Sequence, residues 1–579
     1  PAPYIIVARI GHTLSATGCA PRGPGVICRA VLRLDASALD YAILAIYFVV
    51  VLGIGFAAKR YVKTSLDYFL SGRSLPAWIT GLAFVSANLG ATEILGNGAN
   101  GAQYGVATFN YYWLGAIPAM VFLGLVMMPF YYGSRVRSVP EYLKLRFNTS
   151  SHVFNSLTFA LATVLIAGVN LYALALVLKL LLGWPILLGI VVAAGVVLAY
   201  ITLGGLSSAI YNEVLQFFVI MAALVPLTIV GLHDAGGING LQDKVRNTKL
   251  GEAGLHVLQG TGVGDVVNPI GSTWIGLVFG LGFVLSFGYW TTNFAEVQRA
   301  LSAKDLSAGQ RTPLIGAFPK LVIPFVVVVP GMIALWKIKG LGGSDPNLEY
   351  NNAIPLLMNQ YLPNGMLGIA LTGLMASFMA GVAANVSAFN TVVTTDLIEP
   401  YIRRDRPDAY YVTAGRYVTV AGVLVAISTA LIASTYSNLM NYLQALFSIF
   451  NAPLFATFII GMFWKRMTPA AGLWGLISGT LAALVLYVGY KFLHVFSFGS
   501  DLDESFWGAG AAFVVDAVVT VAVTLFTQPK PVEELRGLVW GMAVHDTSGA
   551  AARQRWWESP YLLGGTTLGL AALLTIVFF

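Results

Sequence analysis

A carboxylate, an amide and a hydroxyl stand close together in the apolar run ITGLAFVSANLGATEILGNGANGAQYG: Asn88, Thr92 and Glu93, around Gly90. A second apolar run, GLVFGLGFVLSFGYWTTNF, sets Gly288 beside the aromatic pair Tyr289 and Trp290. An acid surrounded by hydrocarbon is costly, and by default it marks a solute, ion or proton path. Amides and hydroxyls both donate and accept hydrogen bonds, and aromatic faces cover the apolar side of a small polar molecule. The chemistry on offer is recognition and passage of a small solute, and no enzyme activity is expected. GLGG at 340–343 lies in a polar loop without the strand and helix of a phosphate-binding loop. His12, His152, His233, His256, His494 and His545 are too scattered for a metal-ligand set.

Such residues need elements that cross a bilayer. Of 579 residues, 57% are hydrophobic and only 10% charged, where a soluble domain carries about 25% charged; mean hydropathy is +0.75. The apolar residues fall in blocks of roughly 20, each long enough for a ~30 Å hydrocarbon core. The blocks predict an all-α membrane protein of 14 spans: 39–58, 77–100, 108–132, 152–180, 184–204, 208–232, 272–297, 313–336, 364–396, 413–434, 437–463, 469–491, 506–527 and 560–579. The long polar loops 233–271, 337–363 and 528–559 lie outside the bilayer. Residues 1–37, with Cys19 and Cys28, are read as a disordered tail before a single transmembrane domain, 38–579.

The net charge of +7 is assigned to cytoplasmic loops rather than to nucleic acid. Lys59, Arg60, Lys63 and Arg73 follow the first span; Arg135, Arg137, Lys144 and Arg146 follow the third; Arg299, Lys304 and Arg311 follow the seventh. Arg403, Arg404 and Arg406 follow the ninth, and Lys465 and Arg466 the eleventh. The positive-inside rule then places both termini outside a plasma membrane. The tripeptide Asn148–Thr149–Ser150 matches a glycosylation acceptor but falls on the inner side. The two glycine-interrupted spans stand five apart, as broken helices do in inverted-repeat transporters. Repeat one is placed at about 77–232 and repeat two at about 272–463, with unwound backbone near Asn88–Thr92 and Phe287–Tyr289.

With these residues in place, the chain resembles the sodium:solute symporter family, in its sodium–glucose/galactose branch. The resemblance runs from about Leu39 to the C-terminus. It is carried by SGRSLPAWITGLAFVSANLGATEILG, SVPEYLKLRF, TLGGLSSAIYNEVLQFF, GYWTTNFAEVQRALSAK and GMFWKRMTPAAGLWGLISG, in that order. It implies a leucine-transporter-like fold of 14 helices and a sugar held midway across the bilayer. It also implies symport with Na⁺ by alternating access, without a bound cofactor. Carried over by position, the sugar-contacting residues become Asn88, Glu93 (Gln or His in relatives), Tyr289, Trp290, Lys320 and Gln444. Tyr112, in FNYYW, stands where sugar symporters usually have a Glu.

The same resemblance assigns a sodium site to the backbone carbonyls of Ser86, Leu89 and Ser377 and to two adjacent hydroxyls. The hydroxyl positions fall on Ala380 and Gly381, which carry no side-chain oxygen, whereas a hard cation wants oxygen ligands. Ser377, Ser387 or Glu213 are the candidate substitutes. Proton coupling through Glu93 or Glu213 stays open, as does uncoupled transport. So do other solutes (a carboxylate, an amino acid, a vitamin) and a role as a membrane solute sensor. The expected partners are a small solute and the lipid bilayer.

Overall fold

The computed structural model describes residues 36–58, 64–134, 136, 138–258, 268–345, 348–542 and 555–578. Most of the expected tail lies outside them, as do Lys59, Arg60, Lys63, Arg135 and Arg137. The described chain is all α-helical. Its main helices are α1 (Ala38–Ala58), α2 (Ala77–Asn88), α3 (Thr92–Phe109), α4 (Tyr111–Ser134), α5 (Val139–Arg146) and α6 (Thr149–Leu182). There follow α7 (Ile186–Ala199), α8 (Gly205–Ala235), α9 (Gly276–Thr292), α10 (Phe294–Leu301), α11 (Leu306–Lys337) and α12 (Met366–Ile402). The last are α13 (Asp408–Ala433), α14 (Leu439–Phe463), α15 (Pro469–Lys491), α16 (Asp501–Phe526) and α17 (Pro560–Val577).

Among the described residues, 11 of these helices are long and apolar enough to cross a membrane. Two pairs, α2–α3 and α9–α10, qualify as broken spans bent by 55° and 49°. With the shorter apolar arm α7 they account for the 14 spans expected. α7 and α8 form one helical run bent at Gly205, whose φ of 56° and ψ of −149° lie outside the range of other residues. A Cβ there would stand 2.6 Å from the carbonyl oxygen of Tyr68. α6 and α12 are buried almost throughout and make the centre of the bundle, while α1 and α17 expose most of their apolar surface. Phe56, Tyr417, Leu424, Val485 and Ile576 are among the apolar side chains left facing outward, as suits a lipid-facing rim.

Polar side chains inside this bundle tie helix ends. Arg146 is fully buried and donates to the carbonyls of Gly461 at 2.9 Å, Trp464 at 2.9 Å and Met467 at 3.1 Å, closing the C-terminal end of α14. Burial pulls its guanidinium below the ordinary arginine value. Arg299 is equally buried. These two arginines, counted above among the cytoplasmic loop charges, lie buried inside the fold. Asn148 caps α6 by accepting from the Ser151 amide at 2.8 Å, and its own amide donates to Pro469 O at 3.1 Å. It is a helix cap, not a free acceptor.

Candidate functional site

The first break falls where the sequence places it. α2 ends at Asn88, and Leu89 and Gly90 leave the helix, with Leu89 at φ −73° and ψ 44°. Breaking a helix in a membrane orphans backbone groups that no water can satisfy. Here the Ala91 amide donates to Asn170 Oδ1 of α6 at 2.8 Å, and Ser377 Oγ of α12 donates to the Leu89 carbonyl. α3 then starts in a widened π-type turn, Thr92–Gly96, which carries Glu93. A similar turn at Tyr111–Ala116 carries Tyr112. Such turns are frequent at functional sites.

The second break is not at Gly288. Phe287–Thr292 is regular helix, and the chain leaves it at Asn293, with φ −71° and ψ 109°. Asn293 is an N-cap, accepting from the Ala295 amide at 3.0 Å, so it starts α10 rather than continuing α9. Gly288 serves packing: a Cβ there would stand 3.1 Å from Asn451 O and 3.3 Å from Phe455 Cβ. The sequence signal for the true break is an N-cap asparagine followed by Glu at its third position.

The first break and the helices around it line a cavity of about 60 Å³, smaller in this conformation than the usual small-ligand pocket. Asn88, Glu93, Tyr112, Tyr289, Trp290, Lys320 and Gln444 all line it. Sequence resemblance thus names residues that the fold gathers from six helices. At the centre is Lys320 of α11, which is 1% exposed. It does not reach for an interface; it donates to Asn88 Oδ1 and Glu93 Oε1. Its ammonium group lies 5.3 Å from the ring of Tyr112 and 5.2 Å from that of Trp290, close enough for cation–π attraction. Asn88 Nδ2 donates to the Tyr289 hydroxyl at 2.9 Å. Phe447 covers the Tyr289 ring at a centroid distance of 4.8 Å. Among the described residues the Gln444 amide makes one contact, 3.3 Å from Nε2 to Met440 Sδ, and it lines the cavity.

Three residues at or beside the site were not singled out by sequence. Asn97 donates to the Tyr112 hydroxyl at 2.9 Å and to Glu93 Oε2 at 3.4 Å. It sits one helical turn beyond Glu93, which was the available signal. Glu296 accepts from the Tyr289 hydroxyl at 2.6 Å. Seven residues separate that pair, a distance closed only because the chain turns at Asn293. Asn170 lies far away in sequence and carries no signal of its own.

The sodium ligands inferred by resemblance come out differently. Both oxygens of Glu213 bind Arg299, at 2.5 and 3.3 Å, and both side chains are fully buried. With a guanidinium already there, Glu213 is neither a spare cation ligand nor a spare proton carrier. Ser86 keeps its hydroxyl buried without a partner among the described residues, while its carbonyl accepts from the Leu89 amide at 3.0 Å. Ala380 and Gly381 are buried where hydroxyls are expected. The carboxamide of Asn170 lies there instead. A Cβ on Gly381 would collide with it, and one on Gly90 would meet its Oδ1 at 2.6 Å. The donor set as it stands does not fit the expected ion at that position.

Comparisons with known proteins bear on the whole arrangement. The family model described as the Sodium:solute symporter family matches residues 68–479. Sodium/glucose cotransporter 1 of Oryctolagus cuniculus is 28% identical over 553 residues, covering 87% of this chain and 81% of its own length. The Sodium/glucose cotransporter of Vibrio parahaemolyticus is 28% identical over 473 residues, covering 78% and 85%. A solved structure of a Na⁺-coupled sialic acid symporter, substrate-bound and outward-open, matches with a TM-score of 0.72 at 19% identity. The match covers 86% of this chain and 99% of that one. At that identity the likeness concerns the fold, an all-α membrane bundle with an inverted five-helix repeat.

Proposed function

Because this chain belongs to the sodium:solute symporter family, we propose that it imports a monosaccharide or similar polyol by alternating access, driven by Na⁺. The observation that carries the reading is the single cavity lined by Asn88, Glu93, Tyr289, Trp290, Lys320 and Gln444. A sugar presents hydroxyls that donate and accept, together with an apolar ring face. Asn88 and Gln444 answer the first in both directions, Lys320 donates, Glu93 accepts, and Tyr289 and Trp290 answer the second. Tyr112 replaces an acid, and Glu93 supplies a carboxylate from another wall. The solute has to displace the hydrogen bonds that Lys320 now makes, so binding and release rearrange this one side chain. The relatives described as sodium/glucose cotransporters support both sugar and ion.

Repeat one, 77–232, and repeat two, 272–463, rock about the two breaks in this reading. α1 and α15–α17 lie outside them. The protein sits in the plasma membrane with both termini outside. A second reading has its own observation. The buried Lys320–Glu93 pair could receive the carboxylate and ammonium of an amino acid, or a carboxylate alone.

Uptake by proteoliposomes separates them. A panel of labelled sugars, polyols, carboxylates and amino acids is offered with Na⁺ and H⁺ gradients imposed separately. Sodium-driven accumulation of a neutral hydroxylated solute is expected. Accumulation of charged solutes alone would overturn the sugar assignment in favour of the second reading.

A further inference from the structure

A file of ionisable side chains runs from the cavity along the second broken span. Lys320 pairs with Glu93 and Arg299 pairs with Glu213. Between these pairs lies Glu296, 2% exposed, in the first turn of α10. Its Oε1 is held by the Tyr289 hydroxyl, while Oε2 is buried with no partner among the described residues. Three acids therefore face two bases. The file lacks one positive charge, and the lack falls on Glu296. A buried carboxylate without a counter-charge is strongly unfavourable. The chemistry that removes the deficit is one monovalent cation at Oε2.

We propose that Glu296 is the seat of the cation that drives transport. The family's carbonyl-and-hydroxyl position is closed in this chain by Asn170, which packs against Gly90 and Gly381. The cation in this proposal sits instead on the carboxylate that accepts from the hydroxyl of Tyr289, a residue of the cavity wall. The surroundings of Glu296 leave the deficit in place. Tyr289 on α9, Arg299 on α10, Lys320 on α11 and Glu213 on α8 are the titratable groups that act on it. α2, packed alongside, carries no titratable residue. Tyr131 and Tyr132 of α4 are spent on the carbonyls of Thr291 and Ala303, and Tyr68 on that of Thr202. On α12, Asp396 and Tyr401 are engaged with His152 at its far end.

The location also supplies coupling. An ionised Glu296 grips the Tyr289 hydroxyl through a charge-assisted hydrogen bond, about twice as strong as a neutral one. A cation at Oε2 takes up that charge and loosens the grip. Tyr289 in turn touches Asn88, and Asn88 touches Lys320, so loading the cation changes what the solute meets.

This rests on the reading of the chain as a cation-coupled symporter, not on the identity of the solute. The test uses the full chain in lipid nanodiscs and needs no solute. Binding of ²²Na⁺ is measured at fixed pH, and proton uptake is measured in weakly buffered solution without Na⁺. The wild type is expected to take up one cation per chain in one of these arms, which says whether the ion is Na⁺ or H⁺. E296Q, which keeps an oxygen for the Tyr289 hydroxyl, should lower that uptake at least tenfold. E296D should retain most of it, which guards against an E296Q protein that fails to fold. Y289F, which leaves Glu296 in place, should still bind the cation. Unchanged ion uptake in E296Q, or no uptake by the wild type in either arm, would overturn the proposal. Loss of ion uptake in E296Q from a protein that accumulates no sugar would uphold it while the sugar assignment fell.

Discussion

Consider replacing Lys320 by Met, which keeps the length and the apolar stem but deletes the charge. Lys320 and Glu93 have side chains 1% and 8% exposed, so the pair is buried on both sides. Removing one member strands the other, a loss of about 3–5 kcal/mol, because an uncompensated charge must be desolvated or neutralised. Removing both members does not strand a charge. E93Q/K320M forfeits the approach to Tyr112 and Trp290, about 0.5–1 kcal/mol for each ring. It also leaves Asn88 Oδ1 short of a donor, about 1 kcal/mol where the cavity admits water. The double variant is therefore expected to lose less stability than K320M alone. Reversible unfolding in mixed micelles of the wild type, both single variants and the double closes the cycle, with a coupling energy of roughly 3–8 kcal/mol. Additive losses, with coupling under about 0.5 kcal/mol, would refute the reasoning. Solute binding should be lost in K320M and should not return in the double variant. Its return would mean that the pair is scaffolding and that the solute never meets Lys320.

Gln444→Ala should weaken solute binding by about tenfold, the cost of one lost polar partner, without lowering the unfolding temperature; unaltered affinity in a binding titration would remove Gln444 from the site. Gly381→Ser alone should destabilise by about 1–3 kcal/mol, because its side chain meets the Asn170 carboxamide. A380S/G381S/N170A, which clears that carboxamide and supplies two hydroxyls, should raise the sodium dependence of uptake, and a flat response would show that the missing oxygens are not what closes the position. Arg146→Lys should destabilise by about 3–5 kcal/mol in thermal or denaturant unfolding, since an ammonium cannot serve three carbonyls as the planar fork does; full stability would contradict its role at the end of α14.

The spans were readable because a bilayer imposes a length and a composition on every crossing segment, and both are properties of a local window. The first break was readable for a related reason: Asn88, Gly90 and Glu93 are anomalies in an apolar run. The second was misplaced because Gly288 looks like a hinge only when its neighbours are unknown. With Asn451 and Phe455 against it, it is a contact glycine, and the turn belongs to the cap at Asn293. The burial of Arg146 and Arg299 was not legible either. A basic residue after a span counts as a loop charge until the fold shows the carbonyls or the carboxylate it meets. The cavity residues were reachable by resemblance, since position in an ordered set of motifs carries over. Asn170 and Glu296 were not, because each acquires its role from a partner that only the bent helices bring near.

The positions of the two breaks explain why these particular contacts matter together. Asn88 precedes the first break and Glu93 follows it, and Lys320 holds both. Tyr289 precedes the second break and Glu296 follows it, and one hydrogen bond of 2.6 Å joins them. Each hinge is therefore bridged by a polar contact whose two ends move relative to each other if the hinge bends. Had the second break been at Gly288, Tyr289 and Glu296 would travel on the same rigid half, and their hydrogen bond would report nothing. With the turn at Asn293, opening the angle of 49° or closing it must stretch or relieve the Tyr289–Glu296 contact. The two hinges are linked in turn by the hydrogen bond from Asn88 to Tyr289 at 2.9 Å. A solute that takes Lys320 away from Asn88 frees that amide to turn, and the change passes to Tyr289. A cation that neutralises Glu296 acts on the same hydroxyl from the other side. Solute and ion thus bias one shared element, the Tyr289 hydroxyl between two hinges, which is the physical condition for their coupling.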